Sequence, residues 1–508
     1  MIISDWTHRL IVSCIVLSLL LPLLAGKSRK SEREYPVQDQ PESVTTDSGP
    51  QVKELLEGDL LTLTVQDTVL LALEHNSSLT VERFKPSIAQ TYEMEEQGAF
   101  DPVLSGELSY SGGGSASGSG LTTAGVTVPF PTGTEVGSEV NISAGEDVSL
   151  GVSFDLSQEL LKGGRRNANL ARVRQAELSR FSSEYELRGF TEALVASTET
   201  AYWDYFSSGL QVDIYREGLR LADQQLLEIR ERVSVGSIPG IEIVAAQAEL
   251  ALRREALLDA ESRFEEFRLR LLHFLNLPVD SLWEIRIKPG QRPEIPQQGI
   301  DELEKHLASA LRMRPDLNQA LLAIKHDDLE VVQTRNGLLP RLELFISLGN
   351  TGYSQSFSGS SGTGGGDLDF DTSLTFSYPI GNRQARAMNE RAILTSKKTA
   401  AAFENLKRLI ELDIHSAHVD ARRTREQINA TAVSRSLQEE KLKAEMEKFR
   451  VGRSTALLVA QSQRDLLSSR IAEEEALIGY LKALIRLYRL DGSLLQRRGI
   501  SLTNVETE

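Results

Sequence analysis

The sequence predicts a mainly α protein with a β-barrel portion, in which long coiled-coil helices accompany four membrane-crossing strands. Three observations carry this. The chain is a duplication. Each copy holds a pair of alternating segments. Each pair leads into a proline-free helical tract, at 163–232 and at 383–450.

The duplication is read from constant offsets. Val65, Val69, Ala72, Leu73 and Leu79 match Leu303, Leu307, Ala310, Leu311 and Leu317 at an offset of 238, which survives to Pro102 and Pro340. Further on, Ala201-Tyr202-Trp203-Asp204 meets Ala417-His418-Val419-Asp420 at 216, as do Val235-Gly236 with Val451-Gly452 and Gln247 with Gln463. The first copy therefore carries 22 extra residues between those anchors. A period near 200 residues is too long for a solenoid unit, so one body with two equivalent halves is expected.

Taken in order, residues 1–26 read as a signal peptide. Arg9 precedes an apolar run over 10–24, too short to span a bilayer comfortably. Cys14, the only cysteine, lies inside that run, so a mature chain has no disulfide and no thiol chemistry. Residues 27–58 are polar, with three prolines, and read as a flexible lead-in. The first repeat spans 59–277. It opens with helical residues 63–100, which Pro102 stops.

Leu104, Leu108 and Tyr110 then alternate with Ser105, Glu107 and Ser109. Residues 111–120 are Gly/Ser-rich and the chain reads as loop to 147. Val148, Leu150, Val152, Phe154 and Leu156 alternate with Ser149, Gly151, Ser153 and Asp155. Residues 278–300, with four prolines, form the inter-repeat linker.

The second repeat, 301–490, repeats the order. Leu342, Leu344, Ile346 and Leu348 alternate with Arg341, Glu343, Phe345 and Ser347, a Gly/Ser loop follows at 359–366, and Phe370, Thr372, Leu374, Phe376 and Tyr378 alternate again. Residues 491–508 read as a polar tail.

One apolar and one small polar face per strand fit a barrel with lipid outside and water inside. An ordinary sheet on a core shows the same alternation; the signal peptide and the lack of another core-rich domain favour the barrel. No later segment gives 18 consecutive apolar residues, so a membrane is crossed by strands or not at all. The long helices cannot belong to a compact domain and must pack along one another. Ile243, Leu250, Leu257, Phe264 and Leu271 fall every seven residues. Ala246, Ala260, Phe267 and Phe274 form a second series, interrupted by Arg253. Gly236 and Gly452 stop the outgoing helices.

No catalytic constellation is visible, so the chain reads as no enzyme, with no cofactor. The glycine runs lack the Gly-Lys-Ser/Thr ending of a phosphate loop. His415, His418 and Asp413 share a charged helix, and His326-Asp327-Asp328 stand alone; both read as solvated or packed faces, not metal ligands. Trp203 and Tyr202 read as packing more readily than as an aromatic gate. A net charge of −16 argues against nucleic acid.

The duplicated order resembles the TolC-like outer-membrane efflux proteins. The residues that carry it are Leu71-Ala72-Leu73 and Ser309-Ala310-Leu311, Pro102 and Pro340, Gly163-Gly164-Arg165 and Gly381-Asn382-Arg383, the Val-Gly tips, and Ala246-Gln247 and Ser462-Gln463. The resemblance covers roughly 59–490. It implies a homotrimer in which each chain gives four strands to a 12-stranded barrel and the helices form an α-barrel tunnel through the periplasm. Outer-membrane lipid, a periplasmic adaptor and an inner-membrane pump are the implied partners.

At the periplasmic mouth, the family's aromatic, Arg and paired acids fall on Phe449, Ser454, Leu458 and Gln461. The aromatic lacks its hydroxyl, and the Arg and both acids are absent. Arg453 lies one position away from the missing Arg. In the first copy Glu242 stands where the first acid belongs. The implied function is the exit duct of an efflux or type I secretion system. A coiled-coil periplasmic adaptor without a barrel is the alternative.

Overall fold

The computed structural model describes residues 56–57, 60–113, 116–144, 148–279, 282–296, 299–354 and 367–501. The signal peptide with Cys14, nearly all of the lead-in, the loop at 359–366 and the last residues of the tail lie outside them.

Chain order is β1 (Leu56–Glu57), β2 (Leu60–Leu63), α1 (Val65–His75), α2 (Ser77–Gln97), and strands β3 (Val103–Gly113), β4 (Ala116–Pro129), β5 (Thr134–Ala144) and β6 (Val148–Glu159). Then come α3 (Arg166–Asn169), the 64-residue α4 (Ala171–Ser234), α5 (Ile241–Leu275) and β7 (Arg286–Pro289). The second copy gives α6 (Leu303–Met313), α7 (Pro315–Asn336), β8 (Arg341–Ser354), β9 (Asp367–Ser377), the 68-residue α8 (Arg383–Arg450), α9 (Ala456–Leu490) and a closing turn α10 (Leu494–Arg497).

The strand count corrects the expectation of four per chain. Six strands form one sheet, ordered β3-β4-β5-β6-β8-β9, every neighbouring pair antiparallel. The stretch expected as loop between 111 and 147 is the hairpin β4–β5. Most of the surplus of the first copy lies here, since the offset has already fallen to 218 at Gly163 and Gly381. The segment hides because β4 builds its apolar face from Gly120, Thr122, Ala124, Val126 and Val128. Such small and β-branched residues suit a pleated surface but give a weak hydrophobic alternation. The sheet of one chain thus holds two strands more than the four expected.

At 1.5 Å per residue, α4 and α8 are each about 100 Å long. α5 returns along α4 and α9 returns along α8, while α4 also runs beside α2, α7 and α9. Each return helix ends against a helix of its own copy. Asn276, left-handed at φ 44°, ends α5 and donates from Nδ2 to the His75 carbonyl (3.1 Å) and Ser77 Oγ (2.7 Å). Asn76 starts α2 by accepting from Leu79 N and donates to the Phe274 carbonyl (3.2 Å). So α5 abuts α2. At the corresponding place in the second copy, Asp491 ends α9, is fully buried, and meets His306 of α6 at 2.6 Å.

The core sits at this level, midway along the helices. Tyr202 is fully buried and donates to the Leu63 carbonyl (3.2 Å); Tyr205 donates to the Ile287 carbonyl (2.6 Å) and stacks on Phe264 at 4.9 Å. Both acceptors belong to a small sheet β1-β2-β7, whose third strand comes from the residues expected as a bare linker. Tyr202 and Trp203 are thus packed, not a gate. The segment expected as a polar tail starts by docking: Leu494, Leu495 and Ile500 enter the same core, and Arg498 makes a bidentate pair with buried Glu199 at 2.6 Å. Arg253, which interrupts the heptads, is buried against Glu249 at 2.9 Å, so the break in the seam is filled by an ion pair.

Both helix tips close with the same motif. Gly236 (φ 75°) donates to the Val233 carbonyl and Ser237 to the Arg232 carbonyl; Gly452 (φ 74°) donates to Phe449 and Arg453 to Lys448. This is the Schellman pair of bonds, which needs a left-handed residue. No atom lies within 4 Å of a Cβ built on either glycine. Gly236→Ala and Gly452→Ala should therefore act through backbone strain alone, costing about 1–2 kcal/mol each. Hydrogen exchange should speed up at the tips while the core amides stay unchanged.

Glu192 gives a pH prediction. Burial pushes its carboxyl up from 4.5 to about 7, against the opposing pull of Arg188. The native state then holds a proton that the unfolded chain has lost, so stability falls as pH rises from 4.5 to about 7 and levels off above. Glu192→Gln should raise the melting midpoint at pH about 8 and leave it unchanged near pH 4, where both states are protonated.

Candidate functional site

Two surfaces of the fold can serve transport, and they lie on different elements. The first is the sheet. Register places Leu104, Leu108 and Tyr110 of β3, Val126 and Val128 of β4, Val136, Val140 and Ile142 of β5, and Leu150, Val152, Phe154 and Leu156 of β6 on one face. Leu344, Ile346 and Leu348 of β8 and Phe370, Leu374 and Phe376 of β9 continue it. In the single chain this face is bare: Leu108 is 81% and Phe376 65% exposed. A continuous apolar face of this size has to meet another apolar phase. The strands, 11 to 14 residues long, match a tilted bilayer crossing.

The opposite face is polar and acidic. It carries Glu107 of β3, Glu135 and Glu139 of β5, Asp155 and Glu159 of β6, Glu343 of β8, and Asp369 and Asp371 of β9. Arg341 is the only basic side chain on it among the described residues. It spans Glu159 (2.7 Å) and Glu343 (3.0 Å). Ser347 donates to Asp155 at 2.6 Å and Ser157 to Glu343 at 2.9 Å, so the carboxylates share one hydrogen-bonded surface. Leu121 and Phe345 are apolar exceptions on it.

The second surface is the pair of helix tips. Gly236 and Gly452 form the turns. Glu242 lies in the first turn of α5, where an acid faces the positive end of the helix. Phe449 is half-buried under the Arg232 guanidinium, 4.8 Å from the ring centroid. That stacking joins the first tip to the second. Arg232 also pairs with Glu228 at 2.6 Å. Its part was not legible in the sequence; only its place one helical turn before Gly236 could have flagged it.

Ser454, standing where the family pattern calls for an Arg, donates to Glu445 of its own hairpin. Bonds from Ser454 and from Lys448 hold the Glu445 carboxyl below its ordinary value. Arg453 is exposed, its backbone engaged in the turn. Leu458 and Gln461 are exposed on α9, and Leu458 N donates weakly to the Thr455 cap at 3.4 Å. The structure brings Phe449 to Arg232, while no hydrogen bond or ion pair joins Glu242 to Arg453, Ser454, Leu458 or Gln461 within the chain's described residues. Above the tips, Glu249 of α5 and Arg464 of α9 meet at 3.3 Å and tie the two return helices together.

Among the described residues no group of three or more His, Cys, Asp or Glu side chains could hold a metal. His418 lies near the Asp301 carbonyl, at 3.3 Å. A concavity lined by Tyr205, Phe264, Arg268 and Ile287 is the outer wall of the midway core. No described helix is long and apolar enough to cross a membrane.

The chain is 24% identical over 361 residues to the pyoverdine export outer membrane protein OpmQ of Pseudomonas aeruginosa, covering 69% of this chain and 70% of the relative. In fold it is similar to the CusC channel, with a TM-score of 0.66, 16% identity, and coverage of 89% of this chain and 97% of that one. The open-state MtrE outer membrane channel of Neisseria gonorrhoeae gives 0.62, with 19% identity and coverage of 90% and 98%. The sequence profile of the outer membrane efflux proteins matches twice, over residues 70–276 and 307–493, one match in each copy of the duplication; the chain belongs to that family, and it is a bacterial outer-membrane efflux channel with a long periplasmic portion.

Proposed function

We propose that three copies of this chain assemble around one axis into the exit duct of a tripartite pump, the sheets closing a barrel in the outer membrane and the helices a tunnel below it. A periplasmic adaptor docks at the tips, and an inner-membrane pump supplies the energy. The duct itself turns nothing over and needs no cofactor. One observation carries this: a six-stranded sheet with a bare apolar face stands at one end of helices about 100 Å long, and two matched glycine tips stand at the other. An adaptor without a barrel has no use for such a sheet.

Within this reading Glu242, Phe449, Arg453, Ser454, Leu458 and Gln461 line the periplasmic mouth. Three Glu242 carboxylates form an acidic ring there. The salt-bridged lock of the family is replaced in the second copy, because Ser454 is satisfied by Glu445 of its own hairpin. Phe449 is held by Arg232, so opening the mouth involves the contact between the two tips of one chain.

The acidic polar face makes the open duct prefer cations, since a water-lined path with fixed negative charge concentrates them. Currents across a planar bilayer under a salt gradient test this. A reversal potential of cationic sign is expected; anion preference overturns the reading. Glu242→Gln should reduce the cation-to-anion permeability ratio about twofold without changing trimer yield.

A further inference from the structure

We infer that the hairpin β4–β5 belongs to the membrane wall, so that a trimer closes an 18-stranded barrel too wide to filter cargo by size, which leaves selection to the helical tips and admits bulky hydrophilic cargo. This rests on the duct reading above and deepens it.

Four observations support the inference. First, the hairpin is paired along both flanks. β4 pairs with β3 from Val103↔Thr127 to Gly113↔Ala116, and β5 pairs with β6 from Thr134↔Gln158 to Ala144↔Val148. A decoration folded over the barrel would leave β3 beside β6; here they are two strands apart.

Second, the hairpin obeys the same two-faced rule as its neighbours. Val126, Val128, Val136 and Val140 carry the apolar face across it, with the small residues Thr122, Ala124 and Ser138 beside them, while Glu135 and Glu139 continue the acidic one. A strand with lipid on one side and water on the other shows this pattern.

Third, its turn is built into the root of the sheet. Gly133 has φ 74°, and a Cβ there would collide with the Gly163 carbonyl. Asn169 donates to the Pro131 carbonyl at 3.0 Å, Gln158 to the Thr132 carbonyl at 3.2 Å, and Glu159 N to the Gly133 carbonyl at 2.9 Å. The turn is fastened to the start of the long helix, where a loose insertion would be free.

Fourth, the edges close. In lipid, the free edges of β3 and β9 must find backbone partners. β3 runs away from the helices and β9 runs back toward them, so β9 of one copy meets β3 of the next antiparallel. Leu104, Leu108 and Tyr110 then share a face with Phe370, Leu374 and Phe376. Three copies of six strands make an even-numbered barrel of 18. Barrel diameter grows roughly linearly with strand number, so this pore is about half again as wide as one of 12 strands, in the size range that leaves an open aqueous channel.

The test compares the full chain with a deletion of 116–144, which leaves β3 to pair with β6 and returns the chain to four strands. Polyethylene glycols of graded size are added to the strand side of a planar bilayer, where they sense the barrel and not the tips. The polymer radius excluded from the full chain should be about 1.5 times that excluded from the deletion. Equal cut-offs in two conducting channels overturn the inference.

Should the deletion fail to assemble, Val126→Trp and Val140→Trp in the full chain decide. Both should be quenched by brominated lipid and Thr127→Trp and Asn141→Trp should not; absence of that alternation overturns the inference. A full chain whose tryptophans alternate but which never conducts sinks the duct reading and leaves the strand count standing.

Discussion

Helix α4 bears on almost everything else in the chain, because a helix about 100 Å long has no core of its own and must find partners along its whole length. It does so in zones. Near the strands it lies against α2 and α7; farther down it lies against α5 and α9. The change of partners happens where α5 ends and α2 begins. A helix end buried at such a point leaves carbonyls and amides without partners, and here asparagines supply them. Asn276 and Asn76 each cap one helix and donate to the other. The aromatic cluster of Tyr202, Trp203, Tyr205 and Phe264 fills the space beside this joint. The two-zone packing of the long helices depends on that joint holding.

The same joint explains why the two copies stay alike in the middle and differ at the ends. Its partners come from both copies: β2 of the first lies parallel to β7 from between the copies, and Arg498 beyond the second copy pairs with Glu199 of α4. A change there disturbs every helix at once. At the strands and tips each copy meets mainly its own residues, and there the copies diverge. The first has gained a hairpin; the second has lost the charged residues of its mouth.

Much of this was legible in the sequence, and the reasons are local. The duplication, the long helices and their glycine stops follow from proline absence and from the left-handed turn that glycine allows. Strands β3, β6, β8 and β9 alternate large apolar with polar residues and declare themselves. β4 and β5 do not, because Gly120, Thr122 and Ala124 on one and Ser138 and Ala144 on the other carry little hydrophobic contrast. Two signals were present: the turn at Pro131-Thr132-Gly133, and the fall in offset that put surplus residues between the first strand and Gly163. Of the mouth, Gly236, Gly452 and Phe449 were read from the pattern, but Arg232 was not, since nothing local says that an arginine in a helix end of mixed charge will stack on another hairpin's ring. Buried Glu192 and Glu199 were also invisible, because a glutamate in a long charged helix reads as solvated until its neighbours are placed.

The divergence of the copies has a mechanical consequence at the mouth. A lock that joins one chain to the next resists opening in proportion to the bonds broken between chains. In this chain the polar groups near the second tip are spent within the chain: Ser454 and Lys448 on Glu445, Arg450 on Glu447, and Arg232 on Glu228 and the Phe449 ring. Exposed pairs of this kind contribute little each, and none of them needs to break for neighbouring chains to part. What does resist is the contact of α5 with α9, tied by Arg464 to Glu249, a carboxylate that the buried Arg253 of the same helix holds in place. The stiff element thus lies above the mouth, inside the helical wall. On the duct reading proposed above, the mouth opens by a swing of each tip pair about that tie, in which Arg232 and Phe449 move together.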